Sequence, residues 1–178
     1  MAHVVLLRGV NLGKRKVVMA DLRKLLNRLG FADAQTLLAS GNVVLDGIGR
    51  RPVMLEAELE AAITKHYGFG CEVFVRTAAE WRAIITRNPF PKEAQRDPSK
   101  LILFALKEAP PAAAGRALQA AITGPEITKL SGREAWVFYP HGQGQSRMGP
   151  NVIEKHLGTR STGRNWNTVL KLATLVDC

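Results

Sequence analysis

Val4-Val5-Leu6-Leu7-Arg8-Gly9-Val10-Asn11-Leu12-Gly13-Lys14-Arg15-Lys16 reads as a short aliphatic strand running out into a basic loop, with an amphipathic helix following from about Met19. Two glycines and an asparagine give the loop access to positive φ, which a tight exit from a sheet requires. Arg8, Lys14, Arg15 and Lys16 crowd whatever it faces. Ser40-Gly41-Asn42 and Arg164-Asn165-Trp166-Asn167 share this polar, turn-rich character and are expected to meet it.

Outward from this stretch, Leu22, Leu25, Leu26 and Leu29 recur at helical spacing, with Arg23, Lys24, Asn27 and Arg28 opposite and Gly30 as the stop. Residues 35–39 and 43–46 then form a hairpin through Ser40-Gly41-Asn42. Pro52 starts a second helix whose stripe is Leu55, Leu59, Ala62, Ile63 and Tyr67, and Gly68 ends it. Glu56, Glu58 and Glu60 read as its solvated face. A strand over 71–75 follows, and Thr77 with Glu80 predicts a capping box for a helix carrying Trp81, Ile84 and Ile85.

Asn88-Pro89-Phe90-Pro91 breaks that helix, and the polar stretch to Lys100 is the expected link between halves. A strand over 101–106, a helix over 111–122 and a hairpin of 127–130 with 135–139 around Ser131-Gly132 come next. Helices over 147–157 and 167–176 close the chain. The fold class is therefore α+β, with two ferredoxin-like (βαββαβ-type) halves packed as one compact unit. Residues 1–90 form a βαββαβα half and residues 91–178 a βαββαα half, in which no final strand is evident.

The 178 residues carry a hydrophobic fraction of 46% and a charged fraction of 22%, which supports a buried core and argues against disorder. The first apolar run is short and ends at Arg8, and no run approaches the roughly 18 residues needed to span a bilayer, so a cytoplasmic location is expected. Cys71 and Cys178 make no disulfide framework. Lys and Arg total 25 against 15 Asp and Glu, a net charge of +10, which attracts polyanions as well as aiding solubility.

Gly9-x-x-x-Gly13-Lys14 falls short of a P-loop: one residue is missing between the glycines and Arg15 replaces the magnesium-binding hydroxyl. A looser anion site on a basic loop before a helix survives that failure. Gly142-x-Gly144-x-Ser146-Arg147 is a second such loop, with Ser146 as the expected N-cap. Asn165 or Asn167 can cap the last helix, Trp166 belongs to the core, and Arg164 is left without a packing duty. His3, His66, His141 and His156 lack metal-ligand spacing, and Ser40 lacks a nucleophile elbow, so no catalytic motif, metal or cofactor is expected.

Taken together, Leu6-Leu7-Arg8-Gly9-Val10-Asn11-Leu12-Gly13, Ala39-Ser40-Gly41-Asn42-Val43-Val44, Asn88-Pro89-Phe90-Pro91, Tyr139-Pro140 and Arg164-Asn165-Trp166-Asn167-Thr168-Val169 give the chain its resemblance to a family. It resembles the uncharacterised bacterial family catalogued as domain of unknown function number sixteen ninety-seven. The resemblance implies an α/β fold of ferredoxin-like character in a cytoplasmic bacterial protein and carries no activity. The chain departs from the family pattern at His141, where an acid is common, and at Gly149-Pro150.

The expected function is a non-enzymatic module that binds nucleic acid or a small anionic ligand. Its expected ligand-binding residues are Arg8, Asn11, Lys14, Ser40, Asn42, Ser146, Arg147, Arg164, Asn165 and Asn167. Two alternatives stand beside it: an enzyme acting on a phosphorylated or nucleotide-like small molecule in the same cleft, and a structural or interaction protein whose polar motifs fasten the halves or a homodimer.

Overall fold

The structure, a computed structural model, describes residues 1–176. Its contacts divide into two units: Met1–Ala83 with the chain from Leu172, and Ile84–Lys171. The division falls inside two helices, between Ala83 and Ile84 and between Lys171 and Leu172, and the polar stretch before Lys100 that the sequence suggests as a link carries a short helix over residues 91–96.

The first unit runs β1 (Ala2–Leu7), α1 (Met19–Arg28), β2 (Gln35–Leu37), β3 (Asn42–Asp46), α2 (Pro52–Tyr67) and β4 (Val73–Thr77), and α3 (Ala78–Thr86) leads out of it. Its sheet is antiparallel in the order β2-β3-β1-β4, with Val5 opposite Val43 on one side and Val75 on the other. Alternate residues of these strands, Val5, Leu7, Val43, Leu45, Val73 and Val75, pack with Leu22, Leu25 and Leu26 of α1 and Leu55, Leu59 and Ile63 of α2. Each buried aliphatic side chain contributes about 2 kcal/mol. The opposite face, with Val4, Leu6, Phe74 and the buried Arg76, is equally covered, so Val4–Leu7 of β1 and Val73–Val75 of β4 read as continuous apolar runs. The predicted capping box forms: Thr77 N–H donates to Glu80 Oε2 at 2.8 Å, and Glu80 N–H to Thr77 Oγ1 at 3.1 Å.

The second unit contains α4 (Pro91–Arg96), β5 (Leu101–Leu106), α5 (Ala112–Ala121), β6 (Ile127–Ser131), β7 (Glu134–Phe138), α6 (Pro150–Leu157) and β8 (Ser161–Asn165), with α7 (Trp166–Val176) leaving it. Its antiparallel order, β6-β7-β5-β8, repeats that of the first sheet. Ile102, Phe104, Leu106, Ala135, Val137 and Tyr139 face Leu118 of α5 and Ile153 and Leu157 of α6.

β8 corrects the expectation of a half without a final strand. Its sequence, Ser-Thr-Gly-Arg-Asn, has no apolar residue, yet it pairs with β5 from Ile102–Asn165 to Leu106–Ser161. Gly163 stands there because a Cβ would come within 2.9 Å of the Phe104 ring. The helix expected over 147–157 starts later, at Pro150, with Gly149 as N-cap and Gly158 at φ 67 closing it.

Both units protect their outer strands with polar side chains from helices. Glu56 of α2 accepts the Val75 N–H at 2.8 Å and Glu60 accepts that of Val73 at 2.8 Å. Glu154 of α6 likewise accepts the Ser161 N–H at 2.8 Å, and Gln119 of α5 that of Thr128 at 2.8 Å. Such groups satisfy backbone donors that an edge strand otherwise exposes. Glu56 and Glu60 are therefore not simply a solvated face, and Glu56 is only 7% exposed.

Across the first unit, Asp21 in the first turn of α1 accepts a hydrogen bond from His66 near the end of α2, at 2.9 Å. That hydrogen bond is the main reason the Asp21 carboxyl lies below its ordinary value. Because the folded pKa is lowered, the carboxylate adds stability above about pH 4 and loses it as pH falls through the folded value. Asp21→Asn is expected to be less stable than the parent at neutral pH and to converge with it below about pH 4, as urea midpoints against pH will show. A gap that persists in acid would remove this pair from the pH dependence.

Candidate functional site

In the first unit the expected meeting of two polar motifs takes place. The Leu7 N–H donates to the Gly41 carbonyl at 2.8 Å, and Asn11 Nδ2 donates to the Ala39 carbonyl and, at 3.0 Å, to that of Val17. Asn11 Oδ1 accepts the Val17 N–H at 2.9 Å, so one side chain closes the loop and ties it to the hairpin. Asn11 tolerates its φ of 56°, between Gly9 at 64° and Gly13 at 57°.

Four of the loop's backbone N–H groups are already engaged within it. The N–H groups of Asn11, Arg15 and Lys16 bond to carbonyls of Arg15, Leu12 and Lys14 respectively, and that of Val17 is taken by Asn11. Asp21 already supplies the negative charge at the start of α1.

The polar residues proposed to face a ligand fall into two sets. Asn42 is 0% exposed, and its Nδ2 donates to the Leu37 carbonyl at 2.8 Å and to Ser40 Oγ at 2.9 Å, which fastens the hairpin. Arg8 pairs with Glu72 at 2.8 Å. Arg15 folds over the Phe69 ring, 5.1 Å from its centroid, and hydrogen-bonds to the Gly70 carbonyl. Lys14 and Lys16 point to solvent and make no ion pair among the described residues. So do Arg23 and Lys24, except that Arg23 donates to Thr36 Oγ1 at 2.6 Å.

Arg164, Asn165, Asn167, Ser146 and Arg147 belong to the second unit. Arg164 does have a packing duty: it is 7% exposed in β8, with Nη1 donating to Thr162 Oγ1 and the Gly163 carbonyl, both at 2.8 Å. Asn165 caps α7, accepting from Thr168 N–H at 3.0 Å and Thr168 Oγ1 at 3.1 Å, while Asn167 is exposed. Trp166 is buried as expected.

Ser146 is not a helix cap. Its hydroxyl hydrogen-bonds to Glu126 Oε1 and accepts the Met148 N–H at 3.0 Å. With Glu126, Arg147 and His141 it lines a cleft of about 530 Å³ whose apolar floor includes Leu118, Ile122, Met148 and Val152. The Gly-x-Gly-x-Ser loop thus holds the Glu126 carboxylate at the cavity through Ser146, while the N–H groups of Gly142, Gln145, Ser146 and Met148 bond to Tyr139, Gly142, Gln143 and Ser146 respectively. Glu126 is the residue that sequence reading missed: it lies 20 positions from Ser146, and nothing local marks it.

The Tyr139 hydroxyl donates to the Met148 carbonyl at 2.8 Å, and burial first, then the Glu126 charge, raises its pKa. Burial likewise pushes the Cys71 thiol up, which disfavours a thiolate nucleophile. Among the described residues no cluster of three or more His, Cys, Asp or Glu side chains is placed to hold a metal, and no helix is long and apolar enough to cross a membrane.

Comparison with known proteins agrees with this architecture. The structure of the conserved bacterial protein SP0830 from Streptococcus pneumoniae superposes with a TM-score of 0.72 at 24% identity, covering 99% of this chain and 98% of that one. No curated protein matches the chain. The family described as "Protein of unknown function (DUF1697)" matches residues 1–136, well over half of the sequence, and the chain belongs to that family.

Proposed function

We propose that the protein is a non-enzymatic, cytoplasmic polyanion-binding module whose partner is nucleic acid, held by the loop after β1 and the outer face of α1. Each half is read as a ferredoxin-like βαββαβ unit, a reading supported by the same 2-3-1-4 strand order in both sheets. The observation that carries the binding reading is charge density. Residues 8–28 contain seven bases (Arg8, Lys14, Arg15, Lys16, Arg23, Lys24, Arg28) and one acid, Asp21, which His66 already engages; Arg8 is paired with Glu72, and the other six carry the charge of the surface.

Helical geometry places Arg23, Lys24 and Arg28 on one outward face, opposite Leu22, Leu25 and Leu26. Lys14 and Lys16 precede that face, on a loop held by Asn11 and therefore presented at low entropic cost. Exposed unpaired lysines suit phosphate contact, because the electrostatic gain comes from releasing condensed counterions. Asn11, Ser40 and Asn42 support that surface and do not contact the ligand.

Fluorescence anisotropy with labelled single-stranded and duplex oligonucleotides across a salt series tests this. The parent is expected to bind with log K falling linearly against log salt. K14A/K16A/K24A should fold normally, as exposed substitutions do, and flatten the slope by about 0.9 per lost phosphate contact on duplex. No binding at low salt, or an unchanged slope in the triple variant, would sink the proposal.

A further inference from the structure

The cleft between the end of α5 and the loop before α6 holds a charge arrangement that the polyanion surface does not explain. Glu126 is half-buried, and its Oε1 is occupied by the Ser146 hydroxyl. Its Oε2 lies over Gly124, where a side chain would collide with it. No cation among the described residues forms an ion pair with this carboxylate, although the chain carries 25 Lys and Arg. Arg147, exposed and lining the same cleft, makes no ion pair either.

A carboxylate and a guanidinium that share a cavity without pairing leave each free for an opposite charge on a ligand. The floor of the cleft is apolar, with Leu118 and Met148 buried and Ile122 and Val152 partly so. At about 530 Å³ the cavity falls within the range of roughly 300–1,000 Å³ typical of small-molecule sites. The Ser146 hydroxyl, fixed by the Met148 N–H at 3.0 Å, holds the carboxylate in place before any ligand arrives.

We infer that this cleft binds a small zwitterion of the α-amino-acid type, with an apolar side chain on the floor, its ammonium on Glu126 and its carboxylate on Arg147. An anion alone meets Glu126 and is repelled; an amine alone leaves Arg147 unused. The ligand class therefore differs from the polyanion assigned to the first unit, and the two sites stand or fall separately.

Amide NMR titration of the full chain with L-phenylalanine, phenethylamine, 3-phenylpropionate and glycine tests the inference. L-phenylalanine is expected to shift the amides of Glu126, Ser146 and Met148 saturably, phenethylamine more weakly, and the other two not at all. Glu126→Gln, which keeps an acceptor for Ser146, should weaken L-phenylalanine roughly tenfold or more, the loss of about one charge-assisted contact. Arg147→Gln should bring L-phenylalanine down to the phenethylamine level, and Val152→Phe, which fills the floor, should abolish both. Binding of 3-phenylpropionate as tight as that of L-phenylalanine, equal affinity in Glu126→Gln, or no saturable shift with any probe would overturn it.

Discussion

Gly41→Ala is expected to lower the unfolding free energy by about 2–4 kcal/mol, combining left-handed strain with overpacking. Gly41 sits at φ 79°, and a Cβ there would come within 2.7 Å of Val10 Cγ2 and 2.8 Å of Leu7 Cβ. Neither neighbour can yield easily: both are buried, and Leu7 is held in β1 while its N–H donates to the Gly41 carbonyl itself. Gly68→Ala is the control, because Gly68 has a similar φ of 75° with nothing within 4 Å of its missing side chain. It should cost only about 1 kcal/mol. Urea unfolding of both variants separates strain from crowding. Equal midpoints would mean that the close approach of the hairpin to the basic loop does not matter, and with it would go the view that Ser40-Gly41-Asn42 is built to dock on the segment after β1.

That docking also bears on what the polar motifs are for. Their composition suggests a ligand face, and for Lys14 and Lys16 the exposure agrees; Asn11 and Asn42 instead spend their amides on backbone groups of the loop and hairpin. Turn-rich polar sequence has the same appearance in both cases, because a backbone leaving a sheet needs acceptors and donors as much as a ligand does. What distinguishes them is burial, which depends on residues far away in sequence.

Local signals were readable where the physics is local. Pro52 and Gly68 bound α2 as expected, and Thr77 with Glu80 forms its predicted box. β8 was hidden because strand recognition relies on apolar alternation, and Ser161, Thr162 and Arg164 are buried polar residues whose needs are met by hydrogen bonds instead. The Glu126 side of the cleft was equally hidden. Its role comes from a hydrogen bond to Ser146 across the β6–β7 hairpin, not from neighbours in the chain.

Replacing Glu56 by alanine should destabilise the protein by about 1–3 kcal/mol, because it strips the acceptor from a buried backbone donor and leaves the Val75 N–H without it. Glu56 is 7% exposed and Val75 is fully buried, so water is poorly placed to substitute. Glu60→Ala, which uncaps Val73 from a more exposed position, should cost less. Glu56→Gln retains an oxygen at the same place and should recover much of the loss. The decisive readout is hydrogen exchange at the Val75 amide: in Glu56→Ala it should accelerate relative to amides of β1, whereas in Glu56→Gln it should stay close to the parent. If Val75 exchange is unchanged in the alanine variant, the glutamate is not guarding the strand. The spacing would then mean no more than its first appearance suggests, acids beside an apolar stripe. If it accelerates, acids four residues apart and one position after the stripe, as at Glu56 and Glu60, become a readable mark of a helix lying along a sheet edge.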